Sequence, residues 1–244
     1  MSSLKGKLGF RVLAGPPRLS AALVDRFRGI AAPNLADAMG RFNFMEPAIQ
    51  SRSKLPLCGL AVTVLSRPGD NLMVHKALQV AEPSDVVVVN TCGGLTTAVF
   101  GELMCHTAAA KRLGGIIVDG AIRDIEGITR LGFPAFSRTV SAGACDKDGP
   151  GEINVPIACG GAAVMPGDIV VGDDDGVAVI PRDSAEEVLT LVAELREPIG
   201  RTKPVVRKAP AKPARPFEWS DELAGQSPPA SRRCLLAGTA SSAA

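Results

Sequence analysis

The sequence predicts an α/β domain whose strands are buried on both faces. Three observations lead there. Short runs such as Val86-Val87-Val88-Val89 and Ile116-Ile117-Val118 have the length and β-branching of strands and no polar alternation. Longer helical stretches lie between them. Aromatic residues make up only 4%, with no Tyr and one Trp at position 219, so the core must come from Val, Ile, Leu, Ala and Gly. A chain of 244 residues with 46% hydrophobic content has material for one large domain or two small ones.

Each element follows from local signals. Residues 1–18, with Gly15-Pro16-Pro17, read as an extended lead-in. Ser20 is placed to cap a helix carrying Leu23, Val24 and Phe27, which Gly29 ends. Asn34 is placed to cap a second short helix over 35–39, stopped by Gly40. Residues 59–65 read as a strand. Pro68-Gly69-Asp70-Asn71 is a turn, and 72–81 a helix. An apolar strand spans 85–90, followed by a glycine-containing loop over 91–97. Residues 99–113 read as a helix closed by Gly114-Gly115.

The next buried strand is 116–118, with Gly120 as a break after it. A short helix over 125–131 is broken by Gly132-Phe133-Pro134. Residues 134–139 and 161–164 are strands. Pro166-Gly167-Asp168 opens a hairpin of 169–171 and 177–180, turning through Gly172-Asp173-Asp174-Asp175-Gly176. Asp183 is placed to cap a C-terminal amphipathic helix with Val188, Leu191, Val192 and Leu195 on one face. A hairpin this late sets the domain apart from a simple doubly wound sheet. From about residue 203 the composition turns to Pro, Ala, Lys, Arg and Ser. We read 1–202 as a single domain and 203–244 as a disordered extension.

Composition excludes several classes. Net charge is +2, and the basic excess sits late, at Lys203, Arg207, Lys208, Lys212 and Arg215. A solvated tail accounts for it better than a nucleic-acid face. No apolar run approaches the roughly 20 residues of a membrane span. The six cysteines, at 58, 92, 105, 145, 159 and 234, form no Cys-x-x-Cys pair. With no signal peptide evident, they read as reduced thiols of a cytoplasmic protein.

Two segments carry candidate chemistry. Arg123-Asp124 alone reads as an exposed surface ion pair. It directly follows a buried strand, however, where α/β folds place ligand sites. A guanidinium there can clasp a carboxylate in bidentate fashion. Asp124 is a hard oxygen donor suited to Mg²⁺ or Mn²⁺, and Mg²⁺ keeps several waters, so one or two protein carboxylates can suffice. Gly101-Glu102-Leu103-Met104 reads as the first turn of a helix, with Glu102 favourable to the helix dipole. Its unpaired backbone N–H groups suit a substrate carboxylate. Gly93 and Gly94 let the preceding loop come close, and Glu102 is a candidate general base or holder of a metal-bound water. Together these groups suit a 2-oxo acid and a hydrated divalent metal.

Gly101-Glu102-Leu103, with twenty residues between Glu102 and Arg123-Asp124, resembles the signature of the RraA-like family, and within it the 4-hydroxy-4-methyl-2-oxoglutarate/4-carboxy-4-hydroxy-2-oxoadipate aldolases. The run from Pro68 through Asn71 and His75 to Leu78, the tetrapeptide Ile153-Asn154-Val155-Pro156, and the segment from Gly167 through Asp173 to Val177 are similar to it as well. The resemblance covers roughly residues 20–200. It implies a three-layer β/β/α sandwich of swivelling-domain type, and homotrimers or hexamers with active sites at subunit interfaces. It implies that the backbone of Gly101, Glu102, Leu103 and Met104 and the Arg123 side chain hold the pyruvyl part of a 2-oxo acid. Asp124 would carry Mg²⁺ or Mn²⁺, largely through waters. The implied reaction is retro-aldol cleavage through a pyruvate enolate, with oxaloacetate decarboxylation as a side activity. The family pattern usually has Asp where this chain has Glu102, and an acid from a neighbouring subunit, Glu194 or Glu197, completes the implied site.

Other residues fit plainer roles. His75 and His106 lack zinc-ligand spacing; a helical His75 has a position that can face the site, but both fit helix-surface histidines better. Asp173-Asp174-Asp175 reads as a hairpin turn, not a calcium loop. There is no Gly-x-Ser-x-Gly elbow and no glycine-rich loop for S-adenosylmethionine. The alternative function that the resemblance implies is a non-catalytic regulator that binds a ribonuclease.

Overall fold

The central strands are built from residues that have to leave water on both sides. Val86 and Val88 join one apolar cluster while Val87 and Val89 join another, and all four are fully buried. Period-two alternation thus feeds two cores from one strand. The structure is a computed structural model describing residues 5–196. The chain divides into Met1–Ile199 and Gly200–Ala244. The second unit, and with it the disorder expected for 203–244, lies outside the described residues.

In chain order, β1 (Lys5–Lys7) and β2 (Phe10–Val12) form an antiparallel hairpin where an extended lead-in was expected. Helix α1 (Ala21–Asp25) starts at Ser20, whose hydroxyl accepts the Leu23 N–H at 3.2 Å. Helix α2 (Ala32–Ala38) starts at Ala31, not at Asn34, with Pro33 in its first turn. Proline fits there because that N–H has no partner within the helix. Strand β3 (Gln50–Ser51) is followed by β4 (Leu57–Ser66), α3 (Leu72–Val80) and β5 (Val86–Asn90). Then come β6 (Ala98–Phe100), α4 (Glu102–Ala110), β7 (Gly115–Ile122), α5 (Ile125–Arg130) and β8 (Ala135–Val140). The C-terminal part holds β9 (Gly151–Ile153), β10 (Ile157–Cys159), β11 (Ala162–Val164), β12 (Ile169–Asp173), β13 (Gly176–Ile180) and α6 (Ala185–Arg196).

Three expectations need correction here. The helix expected over 99–113 begins only at Glu102. Ala98, Val99 and Phe100 pair instead with the far end of β7. A three-residue apolar run carries no periodicity that separates strand from helix. Gly120 does not end its strand: β7 runs through it to Ile122. A Cβ at 120 would lie 2.5 Å from Thr91 Oγ1 and 3.0 Å from the Gly94 carbonyl, so glycine serves close approach of the 91–94 turn. Asp183 lies in a 3-10 turn, Arg182–Ser184, that precedes α6. On α6 the buried face is Ala185, Val188, Leu189 and Val192, while Leu195 is exposed.

Strands β4, β5, β7 and β8 lie side by side and parallel. The edge of β4 away from β5 splits between two antiparallel partners, β9 toward its C-terminal end and β12 toward its N-terminal end. Helices α3, α4 and α5 cover one face of this sheet. The hairpins β10–β11 and β12–β13 pack on the other face, around Ile117, Phe136, Val170 and Val179. That gives the β/β/α layering expected. Helices α1, α2 and α6 add a layer by packing on the outer side of β12–β13. No described helix is long and apolar enough to cross a membrane. Ile117 is fully buried between the sheet and the hairpins. Ile117→Ala is therefore expected to lower unfolding stability by about 2–5 kcal/mol in denaturant titration.

Candidate active site

The parallel pairing of β6 with the end of β7 decides where the site lies. Arg123 N–H donates to the Phe100 carbonyl at 3.0 Å, immediately past that pairing. Gly101 follows Phe100 in extended conformation and serves as N-cap of α4. The start of α4 and the dipeptide Arg123-Asp124 are thereby held against each other. Glu102 N–H donates to Asp124 Oδ2 at 3.1 Å, and Arg123 Nε stands 3.5 Å from the same oxygen. A Cβ on Gly101 would fall 2.5 Å from Asp124 Oδ2 and 3.1 Å from Arg123 Cγ. Glycine at 101 is a requirement of this contact. Asp124 itself adopts a left-handed conformation, with φ of 59°. Asp tolerates that region better than most residues, and such backbone strain concentrates at functional sites.

These groups open into a pocket of about 290 Å³ lined by Gly101, Leu103, Met104, Arg123 and Asp124. Ligand pockets run from about 300 Å³ upward, so this one suits a small metabolite. The amides of Leu103 and Met104 belong to the first turn of α4 and have no acceptor within the helix. The Arg123 and Asp124 side chains are each 42% exposed, placed to meet a ligand from solvent. One oxygen of Asp124 is engaged by Glu102 N–H and Arg123, and Oδ1 has no protein donor among the described residues. One free hard oxygen fits a hydrated Mg²⁺ or Mn²⁺. No group of three or more His, Cys, Asp or Glu donors capable of holding a metal occurs among the described residues.

Glu102 is brought to the site by its backbone but not by its carboxylate. Arg130 Nη2 donates to Glu102 Oε1 at 3.2 Å, and His106 Nε2 lies 4.0 Å from the same oxygen. The carboxyl group lies over Gly127 of α5, where a Cβ would fall 2.3 Å from Glu102 Cδ. Glu102 thus ties α4 to α5 and is absent from the pocket lining. Of the candidate neighbour-subunit acids, Glu194 is exposed on α6 and Glu197 lies outside the described residues.

The pocket also contains residues that the sequence reading set aside or missed: Asn71, His75, Cys145 and Lys147. His75 takes the site-facing position that the sequence offers beside the plainer surface one. Burial and the Lys147 charge hold its imidazole below the usual histidine value. Asn71 is 8% exposed, with its Oδ1 buried and without a hydrogen-bond partner. Burial pushes the Cys145 thiol up, and its Sγ donates to the Ala98 carbonyl. The loop bearing Cys145 and Lys147 is pinned by Asp70, a fully buried carboxylate. Asp70 accepts the N–H groups of Leu72, Asp148 and Gly149 at 2.7–2.9 Å. No short-range spacing links 70 to 147. Only the similarity of the Pro68–Leu78 run to the family marked that region.

The plainer readings hold elsewhere. Asp173 stabilises its hairpin turn by accepting Asp175 N–H at 3.0 Å, and it also accepts Ala32 N–H at 2.8 Å. His106 is exposed beside Glu102. Cys58, Cys92, Cys105, Cys145 and Cys159 are free thiols. A larger groove of about 970 Å³ runs between the 14–18 strap and Pro181–Asp183. Its buried carboxylate, Asp168, is spent on the N–H groups of Met165 and Arg182.

Fold and site together define a class of α/β proteins with a pocket at the end of a central strand, lined by a guanidinium, a carboxylate and a helix N-terminus. The match to known proteins is specific. The model of the RraA-like (Aldolase/RraA) family matches residues 32–179, and the chain belongs to that family. A putative 4-hydroxy-4-methyl-2-oxoglutarate aldolase of Halalkalibacterium halodurans is 41% identical over 167 residues, spanning 68% of this chain and 80% of the relative. The 4-hydroxy-4-methyl-2-oxoglutarate aldolase of Thermus thermophilus is 34% identical over 114 residues, 46% of this chain and 68% of the relative. Among solved structures, Streptomyces coelicolor RraAS2, an unusual member of the RNase ES inhibitor RraA protein family, superposes with a TM-score of 0.68 at 26% identity. That alignment covers 74% of this chain and 94% of the other.

Two predictions follow from the geometry. Gly127→Ala has to displace Glu102 or α5, and is expected to cost about 1–3 kcal/mol, read by thermal unfolding. Burial opposes the charge of Asp70, but three backbone N–H donors and Arg67 outweigh it and hold the carboxyl below its usual range. With its folded pKa depressed, Asp70 stabilises the fold above its unfolded value of about 3.9, and that contribution is lost as pH falls through the lower folded value. Asp70→Asn should therefore be less stable than the native chain at pH 7. The difference should shrink on acid titration below about pH 4.

Proposed function

We propose that the protein is a carbon–carbon lyase that cleaves a 4-hydroxy-2-oxo acid by a divalent-metal-dependent retro-aldol reaction. The observation that carries this reading is the convergence of the α4 N-terminus, Arg123 and Asp124 in one pocket. The names of the relatives as 4-hydroxy-4-methyl-2-oxoglutarate aldolases support it.

In this reading the amides at the start of α4 hold the carboxylate of the 2-oxo acid. Arg123 lies over the 2-oxo oxygen and stabilises the negative charge that develops there as the C3–C4 bond breaks. Asp124 would hold Mg²⁺ or Mn²⁺, which supplies Lewis-acid polarisation of the same oxygen. A base removes the proton of the C4 hydroxyl, and that oxygen becomes a carbonyl as the C3–C4 pair passes into a pyruvate enolate. The C4 fragment leaves as the second carbonyl product, and the enolate is reprotonated at C3 and leaves as pyruvate. Loss of CO₂ from oxaloacetate gives the same enolate, so decarboxylation accompanies cleavage. Glu102, whose carboxylate is engaged by Arg130, contributes its backbone N–H and ties α4 to α5. The base therefore comes from elsewhere. In this reading the assembly is the trimer or hexamer that the family resemblance implies, with a second copy at the site.

Pyruvate release from 4-hydroxy-4-methyl-2-oxoglutarate and from oxaloacetate tests the reading. Turnover is expected with Mg²⁺ or Mn²⁺ and is expected to vanish with EDTA or in Asp124→Ala. Arg123→Ala should lower kcat at least about a hundredfold, the scale of losing a donor to a developing oxyanion. Full activity in Arg123→Ala would overturn the mechanism. A folded oligomer inert with every metal that instead captures a ribonuclease would favour the regulator reading, which rests on likeness to RraA inhibitor structures.

A further inference from the structure

We propose that His75 is the base of the cleavage reaction, taking the C4 hydroxyl proton directly, with Asn71 holding that hydroxyl beside it. This rests on the lyase reading above and deepens it.

Elimination among the groups that face the pocket leads there. The Glu102 carboxylate is bound by Arg130, lies over Gly127 and is absent from the lining. Besides His75, the titratable lining residues are Arg123 and Asp124 at the end of β7, and Cys145 and Lys147 on the loop before β9. From α4 only Leu103 and Met104 side chains face the pocket. The guanidinium and the ammonium are donors with no lone pair to offer. Asp124 is engaged by Glu102 N–H and Arg123, and is the carboxylate read as the metal holder. Cys145 Sγ donates to the Ala98 carbonyl, and burial keeps its proton on. His75 remains, and imidazole is the side chain that takes and gives a proton near neutral pH. Burial and the Lys147 charge favour its neutral form, which keeps one ring nitrogen free to accept.

His75 is presented by a fixed helix. Met73, Val74, Ala77 and Leu78 bury one side of α3 in the core. The first turn is anchored by Asp70, which accepts Leu72 N–H at 2.9 Å, and His75 N–H donates to the Asn71 carbonyl at 3.0 Å. Asn71 and His75 stand at i and i+4 and are neighbours along the helix. Asn71 is the N-cap of α3, yet its side chain caps nothing. Its Nδ2 donates to the Val99 carbonyl at 3.3 Å, and its Oδ1 is buried without a donor in a residue that lines the pocket. A buried acceptor in that state costs free energy until a donor arrives. The C4 hydroxyl is such a donor, and at Asn71 it stands beside the imidazole. The neutral imidazole then takes the hydroxyl proton, the C4 oxygen becomes a carbonyl, and the C3–C4 pair passes into the enolate. The imidazolium returns the proton to C3, which releases pyruvate and leaves His75 neutral again.

Oxaloacetate loses CO₂ with no hydroxyl proton to remove, so the two reactions separate a base from a structural residue. The full chain with Mg²⁺ is assayed for pyruvate release from 4-hydroxy-4-methyl-2-oxoglutarate and from oxaloacetate. His75→Gln is expected to lower kcat for cleavage at least about a hundredfold and kcat for decarboxylation less than about tenfold. Its affinity for pyruvate, read by titration calorimetry, is expected to stay within about twofold of native. Native cleavage should lose rate on the acid side as the imidazole is protonated, below the usual histidine value of about 6.5, and His75→Gln should lack that limb. Imidazole added to His75→Ala should restore part of the cleavage rate. Unchanged cleavage in His75→Gln, equal losses in both reactions, or lost pyruvate binding overturns His75 as the base and leaves the lyase reading standing. A native protein that turns over neither acid overturns both.

Discussion

The convergence of Arg123, Asp124 and the start of α4 depends on one backbone contact, the Arg123 N–H donated to the Phe100 carbonyl just beyond the pairing of β6 with β7. It aligns the end of a central strand with the beginning of a helix from an earlier part of the chain. Asp124 is then close enough to accept Glu102 N–H, and Gly101 must lack a side chain for the two to meet. A guanidinium, a carboxylate and a helix N-terminus converge without any of them being individually unusual. Their partial and full charges partly satisfy one another and leave a vacant acceptor on Asp124 and vacant amides on α4.

The rigidity behind that contact comes from the two-sided burial of β5 and β7. Their valines and isoleucines serve the helix-side core and the hairpin-side core alternately. Shifting either strand by one residue would exchange the two sets, so register is strongly specified. The site inherits this precision because Arg123 follows β7 directly. The second anchor is Asp70, whose buried carboxylate fixes the loop carrying Cys145 and Lys147. A buried charge survives there because three backbone donors and Arg67 replace the water it loses.

Local chemistry made much of this legible. The valine run at 86–89 and the isoleucine run at 116–118 announce strands because nothing else has that length and branching. Arg123-Asp124 stands out because the strand before it can be read from neighbouring residues, although its end lies at Ile122 and not at Gly120. What stayed hidden depends on distant pairing. Ala98–Phe100 becomes a strand only because the end of β7 is there to receive it. Strands β9 and β10 are three residues each and exist through their partners β2, β4 and β11. The direction of the Glu102 carboxylate is set by Gly127 and Arg130, more than twenty residues away, where a Cβ is missing and a cation is present. The loop bearing Lys147 is brought to Asn71 by Asp70 and by the Asn71 N–H bond to the Asp146 carbonyl, contacts that no motif spacing encodes.

Asp124 and its surroundings are proposed as a divalent-metal and oxo-acid centre. Mn²⁺ binding followed by electron paramagnetic resonance tests it without assuming a substrate. The account predicts one Mn²⁺ bound per chain, a spectrum altered when pyruvate is added, and loss of both effects in folded Asp124→Ala. Equal Mn²⁺ binding by the native protein and Asp124→Ala, or a spectrum indifferent to pyruvate, would contradict it.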